Sequence, residues 1–157
     1  MKAILQTILI IILLYSIYRF HKNKEAKMRI HDIEELEEPF RDKIKTLMEN
    51  VNSRLKALAD DNPNYIDIYA AVFETLRTKE RQKQLFLQRR TKTLNSKHLV
   101  GKAVDIVVQK NGQWTWDIRD KYVKSAYFII GEEAKKLGLT WGGDWKSFRD
   151  YPHVETE

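Results

Sequence analysis

The chain contains no cysteine among its 157 residues, which excludes disulfide bridges and metal sites built on thiolate ligands. This absence does not fix the compartment, because a cysteine-free chain is compatible with either side of a bacterial inner membrane. Internal repeats and low-complexity segments are also missing. With 43% hydrophobic and 32% charged residues, the chain is long enough for one globular domain with a modest core and an appendage.

An excess of positive charge is missing from most of the chain, although the net charge is +6. Residues 1–29 hold six basic residues against one acid, a net charge of +5, so the remaining residues together carry only +1. A protein that binds nucleic acid normally carries a basic patch that follows the phosphates. We therefore expect no nucleic-acid partner.

One long hydrophobic run is present at the N-terminus, where residues 3–20 read AILQTILIIILLYSIYRF. About 20 apolar residues span a bilayer, and residues 8–14 of this run include no polar side chain. We predict a transmembrane anchor at residues 1–21 that contacts the lipid bilayer through residues 3–20. A charged linker at residues 22–30 then leads to the main domain at residues 31–157.

A cleaved signal peptide is the main alternative for this segment. It requires a small-x-small cleavage site, and the sequence YSIYRFHK after the apolar run offers none, so an uncleaved anchor is favoured. The basic residues follow the span, which by the positive-inside rule favours a cytoplasmic domain.

The main domain shows alternating helix and strand signals. Residues 31–60 predict a helix with one apolar stripe, formed by Phe40, Ile44, Leu47, Val51, Leu55 and Leu58. A strand is predicted in YIDIYAAVFETL, and a short helix then follows Thr78 as its N-cap.

The second half of the domain predicts a hairpin, a helix and a final strand. AVDIVVQ and WTWDI flank the Asn-Gly turn, and a helix at residues 122–137 lies between Asp120 as N-cap and Gly138 as C′ residue. YPHVE predicts a short last strand. These elements predict an α+β fold with helices packed on a small, mostly antiparallel sheet.

A carboxylate stands within the apolar strand AVDIVV, at Asp105. Burying it costs several kcal/mol unless a cation or hydrogen-bond donors compensate. His98 lies seven residues upstream and His153 near the C-terminus. Two imidazoles, one carboxylate and an open fourth position are typical of catalytic zinc. Spacing alone leaves open a surface histidine beside a solvated aspartate.

Three ordered blocks between Tyr65 and Glu155 resemble peptidoglycan-cutting zinc peptidases related to D-Ala-D-Ala carboxypeptidases. They read LRTKERQKQLFLQRRT, SKHLVGKAVDI and LGLTWGGDWKSFRDYPHVE. The branch they resemble most is that of the L-alanyl-D-glutamate endopeptidases found as bacteriophage endolysins. The resemblance implies the fold shared by hedgehog proteins and D-Ala-D-Ala peptidases.

The resemblance also implies roles for particular residues. His98, Asp105 and His153 ligate Zn²⁺, Asp150 is the general base, and Arg77 stabilises the oxyanion. Ser96, Trp141 and Trp145 are candidate substrate contacts. Alternatives stay open: Asp150 as a turn residue before Pro152, Arg77 in a surface pair with Glu74 or Glu80, and the two tryptophans as packing residues. His21 and His31 are not expected to be ligands.

One position departs from the family pattern. Relatives often carry glycine before the Arg90-Thr91 pair, where this chain has Arg89. The departure puts the local turn in doubt, and with it substrate access, but not the metal site.

The resemblance predicts a membrane-tethered, monomeric zinc endopeptidase that cuts peptidoglycan stem peptides. A carboxypeptidase or dipeptidase that trims terminal D-alanine, and an inactive membrane-anchored binding module, are the alternatives. Peptidoglycan lies outside the inner membrane, so we expect the domain on the outer side although the charge bias favours the inner side. A lysis enzyme that waits inside until the membrane is breached would also fit.

Overall fold

Helices and strands alternate along the part of the chain that a computed structural model describes, residues 2–27 and 31–157, with side chains at 6–19 and 31–157. The helices are α1 (Lys2–Lys27), α2 (Phe40–Asp61), α3 (Lys79–Leu87) and α4 (Lys121–Lys136). The strands are β1 (Ile68–Glu74), β2 (Ala103–Lys110), β3 (Gln113–Thr115), β4 (Thr140–Trp141) and β5 (His153–Glu155). The predicted α+β class is confirmed.

The five strands form one sheet in the order β1-β2-β5-β4, with β3 pairing with β2 farther along that strand. Every pairing is antiparallel. The long strand β2 is central: its first half pairs with β5, its second half pairs with β3, and β1 runs along its other edge.

The sheet has one covered face and one open face. Alternation along β2 sends Val104, Ile106 and Val108 into the core, where they pack with the buried stripe of α2 and with α4. The predicted stripe is confirmed, since its first five members, from Phe40 through Leu55 at helical spacing, are buried and Leu58 packs against them. Asp105 therefore points to the open face, which explains how an apolar strand can contain a carboxylate.

Local capping signals agree with the predicted helix ends, except at α2. Thr78 accepts a hydrogen bond from the Arg81 amide, Asp120 accepts from the first turn of α4, and Gly138 has a φ of 70° after that helix. The helix predicted at residues 31–60 begins only at Phe40, because Pro39 precedes it and Ile33–Glu35 form a separate 3-10 turn.

Helix α1 covers most of the predicted anchor and continues into the predicted linker as far as Lys27, while Met1 and residues 28–30 lie outside the described residues. Across the residues that the structure describes, there is no helix both long enough and apolar enough to cross a membrane. The transmembrane anchor at residues 1–21 thus stays a prediction.

Candidate metal centre

A pocket of about 440 Å³ opens on the uncovered face of the sheet. Its floor is formed by β1 and β2, one wall by the segment after α3 and the other by the loop that precedes β5. His98, Asp105, Asp150 and His153 all face it. The predicted chemistry-bearing residues, far apart in sequence, therefore meet in one cavity.

His98, Asp105 and His153, called here the His–Asp–His cluster, have ligand atoms that all lie within 4.8 Å of one another. His98 Nε2 and His153 Nδ1 each lie 3.2 Å from Asp105 Oδ1. Sheet register produces part of this geometry, since Asp105 and His153 are direct cross-strand partners. A 3-10 turn capped by the Ser96 hydroxyl carries His98, and Gly101, at a φ of 69°, ends the turn.

The far ring nitrogen of each histidine has its own acceptor. His98 Nδ1 lies 2.7 Å from the Thr75 carbonyl oxygen, which can only accept, so Nδ1 carries a proton and Nε2 is the ring nitrogen available to a metal ion. His153 Nε2 lies 3.0 Å from a carboxylate oxygen of Glu155. Acceptors of this kind fix the tautomer of metal-binding histidines and raise their basicity. Glu155 was not predicted as a site residue, although it follows His153 by two residues and therefore lies on the same face of β5.

The residues present fit a zinc ion. Two imidazoles and one carboxylate are the donor set of many catalytic zinc sites. One ring nitrogen of each imidazole lies next to the same oxygen of Asp105, and this nitrogen can bind a metal ion when it carries no proton. The imidazoles are almost fully buried, which leaves few competing water contacts. His98, Asp105 and His153 can therefore hold the ion without rearrangement of the backbone.

The acidic and basic groups of the cluster change one another's pKa values. Burial alone lowers the pKa of His153, but hydrogen bonds to Asp105 and Glu155 and the charges of Asp105 and Asp150 outweigh it and raise the pKa to about 9. Burial raises the pKa of Asp105, yet the charge of His98 and hydrogen bonds from both histidines hold that pKa well below its usual range. The cluster thus favours a cation at its centre.

A buried charge network lies behind the cluster. Glu74, the β1 neighbour of Asp105, accepts from Arg77 Nη2 at 2.6 Å and from Arg81 Nε at 3.2 Å. Arg77 Nη2 also donates to Asp105 Oδ2 at 3.2 Å, and its Nη1 donates to Gln82 Oε1. Of the two pairings considered for Arg77, the one with Glu74 forms, but it is buried and not at the surface. Glu74 was missed as a site residue, although it is an acid in an apolar strand, as Asp105 is.

Asp150 faces the same pocket from the loop before β5. Its amide donates to the Gly142 carbonyl, and its own carbonyl accepts from the His153 amide. A Cβ at Gly142 would lie 2.5 Å from the Asp150 carbonyl oxygen and 3.1 Å from His153 Cβ, so glycine is needed for this close approach. Burial and the nearby charge of Asp105 raise the pKa of Asp150 above its usual value.

The three candidate substrate contacts lie in two different environments. Ser96 and Trp145 line the pocket, with the Trp145 ring 5.1 Å from that of His153. Trp141 is instead 3% exposed, packs between Gly131 and Gly143 and donates to the Tyr151 carbonyl, so it is not brought to the pocket. His31 lies against Phe73 and is not part of the cluster, and the side chain of His21 is outside the described part.

The departure at Arg89 has a structural counterpart. Arg89 adopts a φ of 57°, in the left-handed region that favours glycine. The turn nevertheless forms, with the Arg90 amide donating to the Leu85 carbonyl at 2.9 Å. The chain therefore keeps the turn geometry with a residue that is strained there.

Comparisons with known proteins point in one direction. Residues 89–156 match the family model described as D-alanyl-D-alanine carboxypeptidase. The L-alanyl-D-glutamate peptidase of Listeria phage A118 is 34% identical, over 71% of this chain and 38% of its own length. The peptidoglycan L-alanyl-D-glutamate endopeptidase CwlK of Bacillus subtilis (strain 168) is 39% identical, over 56% of this chain and 60% of its own.

A similar solved structure is the L-Ala D-Glu endopeptidase ChiX of Serratia marcescens, 29% identical with a TM-score of 0.49, which covers 69% of this chain and 84% of that one. The chain spans less than two thirds of the length of each of the two sequence relatives. The resemblance predicted from the three sequence blocks is confirmed by these relatives and by the match of residues 89–156 to the family model.

Proposed function

We propose that this chain is a zinc-dependent peptidase that hydrolyses peptidoglycan stem peptides between L-alanine and D-glutamate. The observation that carries the proposal is the His–Asp–His cluster in a pocket that also contains Asp150. The printed names of the two sequence relatives support the bond that is cut. Residues 31–157 are proposed as the catalytic domain, and the chain as a monomer.

His98 Nε2, Asp105 and His153 Nδ1 would hold the zinc ion. The ion supplies a Lewis acid, which polarises the scissile carbonyl and makes a water molecule more acidic. Glu155 and the Thr75 carbonyl hold the two imidazole rings in orientation from behind. Arg77 does the same for Asp105, because its Nη2 donates to Oδ2 and leaves Oδ1 facing the histidines.

Asp150 acts as the general base in this proposal. Its carboxylate takes a proton from the attacking water and passes it to the nitrogen of the leaving amine. A pKa raised by burial and by the charge of Asp105 makes the carboxylate a stronger base than a solvated aspartate.

Arg77 is proposed to stabilise the negative charge that develops on the carbonyl oxygen. Its guanidinium lines the pocket, and its Nε is a buried donor without a hydrogen-bond partner among the described residues. An acceptor that appears during the reaction would satisfy this donor, which is the condition for selective stabilisation of a transition state.

Digestion of purified muropeptides followed by mass spectrometry tests the bond specificity. An L-alanyl-D-glutamate endopeptidase releases the stem peptide without its first alanine, and a chelator abolishes the release. Loss of terminal D-alanine alone would instead establish the carboxypeptidase alternative. An absence of any product from zinc-loaded protein would establish the inactive binding module.

The base assignment has its own test. Asp150→Asn is expected to lower kcat by about 10²–10⁴, the usual contribution of a general base, without loss of bound zinc. Asp144→Asn is the matched control, because Asp144 is an exposed turn acid paired with Lys135. A kcat of the Asp150 variant equal to that of the control would remove Asp150 from the mechanism.

We also propose that residues 1–21 anchor the chain in the cytoplasmic membrane, with the domain on the outer side, where its substrate lies. Apolar side chains from Ile8 to Leu14 are each 47–60% exposed, which supports a partner for this helix other than the domain. A phosphatase reporter fused to the C-terminus, active only outside the cytoplasm, decides the orientation. An inactive reporter would support the cytoplasmic orientation that the charge bias favours.

A further inference from the structure

Four aromatic side chains extend the open face of the sheet beyond the pocket. Phe73 lies in β1, Tyr69 four residues before it, Trp114 in β3 and Trp116 just after that strand. Phe73 meets both indoles edge-on, with ring centroids 5.3 Å from Trp114 and 5.2 Å from Trp116. We call these four residues the aromatic platform.

The aromatic platform is held by strand register and remains open. Tyr69, Gln109 and Trp114 are direct partners across β1, β2 and β3, so their side chains lie in a row on one face. Tyr69 is 41%, Trp114 40% and Trp116 49% exposed. Exposed aromatic clusters of this kind, next to a pocket, commonly mark a binding surface.

The platform is continuous with the His–Asp–His cluster. Phe73 and Trp116 also line the pocket that contains Asp105, and Val107 lies between the two regions on the same face of β2. A ligand that reacts at the cluster can therefore contact the platform through Phe73 and Trp116.

The platform carries no charged side chain. Its polar groups are the Tyr69 hydroxyl, which donates to the amide oxygen of the neighbouring Gln109 at 2.5 Å, and the indole N–H groups of Trp114 and Trp116. Flat aromatic faces with a few neutral hydrogen-bonding groups suit a neutral ligand that has an apolar face and polar edges. A pyranose ring with equatorial substituents has both features, because its axial C–H groups form an apolar face and its hydroxyl and acetamido groups form the edge.

We propose that the aromatic platform binds an N-acetylated sugar ring of the glycan strand to which the stem peptide is attached. The inference deepens the proposed function and rests on it, because only a cut next to L-alanine lies close to the sugar. The lactyl group and L-alanine separate the sugar ring from the scissile carbonyl, a span of two residue lengths, or about 7 Å. Gln109 stands four residues from Asp105 along β2, about 13 Å away, and Val107 half as far. A sugar ring about 7 Å from the scissile carbonyl would therefore lie near Val107, beside Trp116 and Phe73.

Charge at the other end of β2 agrees with this orientation. Lys97 bonds to Glu155, which lies opposite Ala103 at the start of β2, and Arg90 and Lys92 also line the pocket. The stem peptide beyond the scissile bond carries free carboxylates, whereas the sugar side is neutral. The basic residues of the pocket and the uncharged aromatic platform thus match the two ends of the substrate.

Sugar binding is tested without catalysis, with chitotetraose as the probe, a chain of four N-acetylglucosamine units. We expect saturable binding in tryptophan fluorescence and calorimetry, weakened about tenfold in Trp114→Ala, a factor that corresponds to about 1.4 kcal/mol. Phe86→Ala is the matched control, because Phe86 is equally exposed at 40% and lies on α3 outside the pocket. Equal binding by both variants, or no binding by the full-length protein, overturns the inference.

A second measurement separates this inference from the proposed function. It compares kcat/KM for a disaccharide-linked stem peptide with kcat/KM for the same peptide capped with a lactyl group. We expect the ratio of the first to the second to exceed one. The ratio should fall in Trp114→Ala but not in Phe86→Ala. Cleavage of both substrates with a ratio that Trp114→Ala does not change rejects the platform and leaves the function standing. Chitotetraose binding that depends on Trp114, without cleavage of either substrate, rejects the function and leaves the platform standing.

Discussion

Zinc must compete with a proton at His153, and the structure sets the pH range of that competition. In the metal-free protein the pKa of His153 is about 9, because the carboxylates of Asp105 and Glu155 accept its hydrogen bonds. Zinc binds only the neutral ring, so binding below this pH displaces the proton. Each pH unit below 9 is expected to weaken the apparent zinc affinity by about tenfold, which at pH 7 is about 2.7 kcal/mol.

Titration of the metal-free protein with chelator-buffered zinc between pH 6 and 9.5 measures this competition. The logarithm of the affinity is expected to rise with a slope of about one between pH 7 and 9 and then to level off. Calorimetry in buffers of different ionisation enthalpy should detect about one proton released at pH 7. The protonated ring also stabilises the metal-free fold, fully below the unfolded pKa of His153, and this contribution is lost as the pH rises through about 9.

Glu155→Gln provides the sharpest variant for this prediction. It removes one of the carboxylates that raise the pKa of His153, so the point at which the affinity levels off is expected to move to lower pH. Glu157→Gln, two residues on, is expected to leave that point in place. A wild-type affinity that is already constant above pH 7, as an ordinary histidine with a pKa of about 6.5 predicts, would refute the reasoning.

Two further predictions concern stability. Glu74→Gln leaves Arg77 and Arg81 buried without their shared carboxylate and is expected to lower the free energy of unfolding by about 3–5 kcal/mol in urea denaturation. The exposed pair of Glu132 with Arg54 is the control, and Glu132→Gln should cost about 1 kcal/mol or less; equal losses would contradict the buried network. Arg89→Gly removes the strain of a left-handed conformation, which costs a non-glycine residue about 1–2 kcal/mol. Because glycine loses more conformational entropy on folding, we expect the free energy of unfolding to rise by only about 0.5–1 kcal/mol in the same assay. A loss of stability would show that the Arg89 side chain makes contacts that outweigh the strain.

Local chemistry determines much of this fold. The caps at Thr78 and Asp120 and the stop at Gly138 could be predicted because each acts within a few residues of chain. The apolar stripe of α2 could be predicted for the same reason, since helical periodicity is a local property. Asp105 stood out as a charge in an apolar strand, and the motif blocks around His98 and His153 supplied its partners.

Only the tertiary structure decided which of these residues are neighbours. Hydrophobic alternation places Tyr69, Gln109 and Trp114 on strands but does not say that the strands pair in that order, so the aromatic platform could not be predicted. Trp141 and Trp145 are only four residues apart, yet one packs in the core and the other beside His153, because their positions depend on which glycines and rings contact them. The sequence determined the elements and the chemical groups; long-range strand pairing and side-chain packing, which no local pattern encodes, decided how these groups form a site.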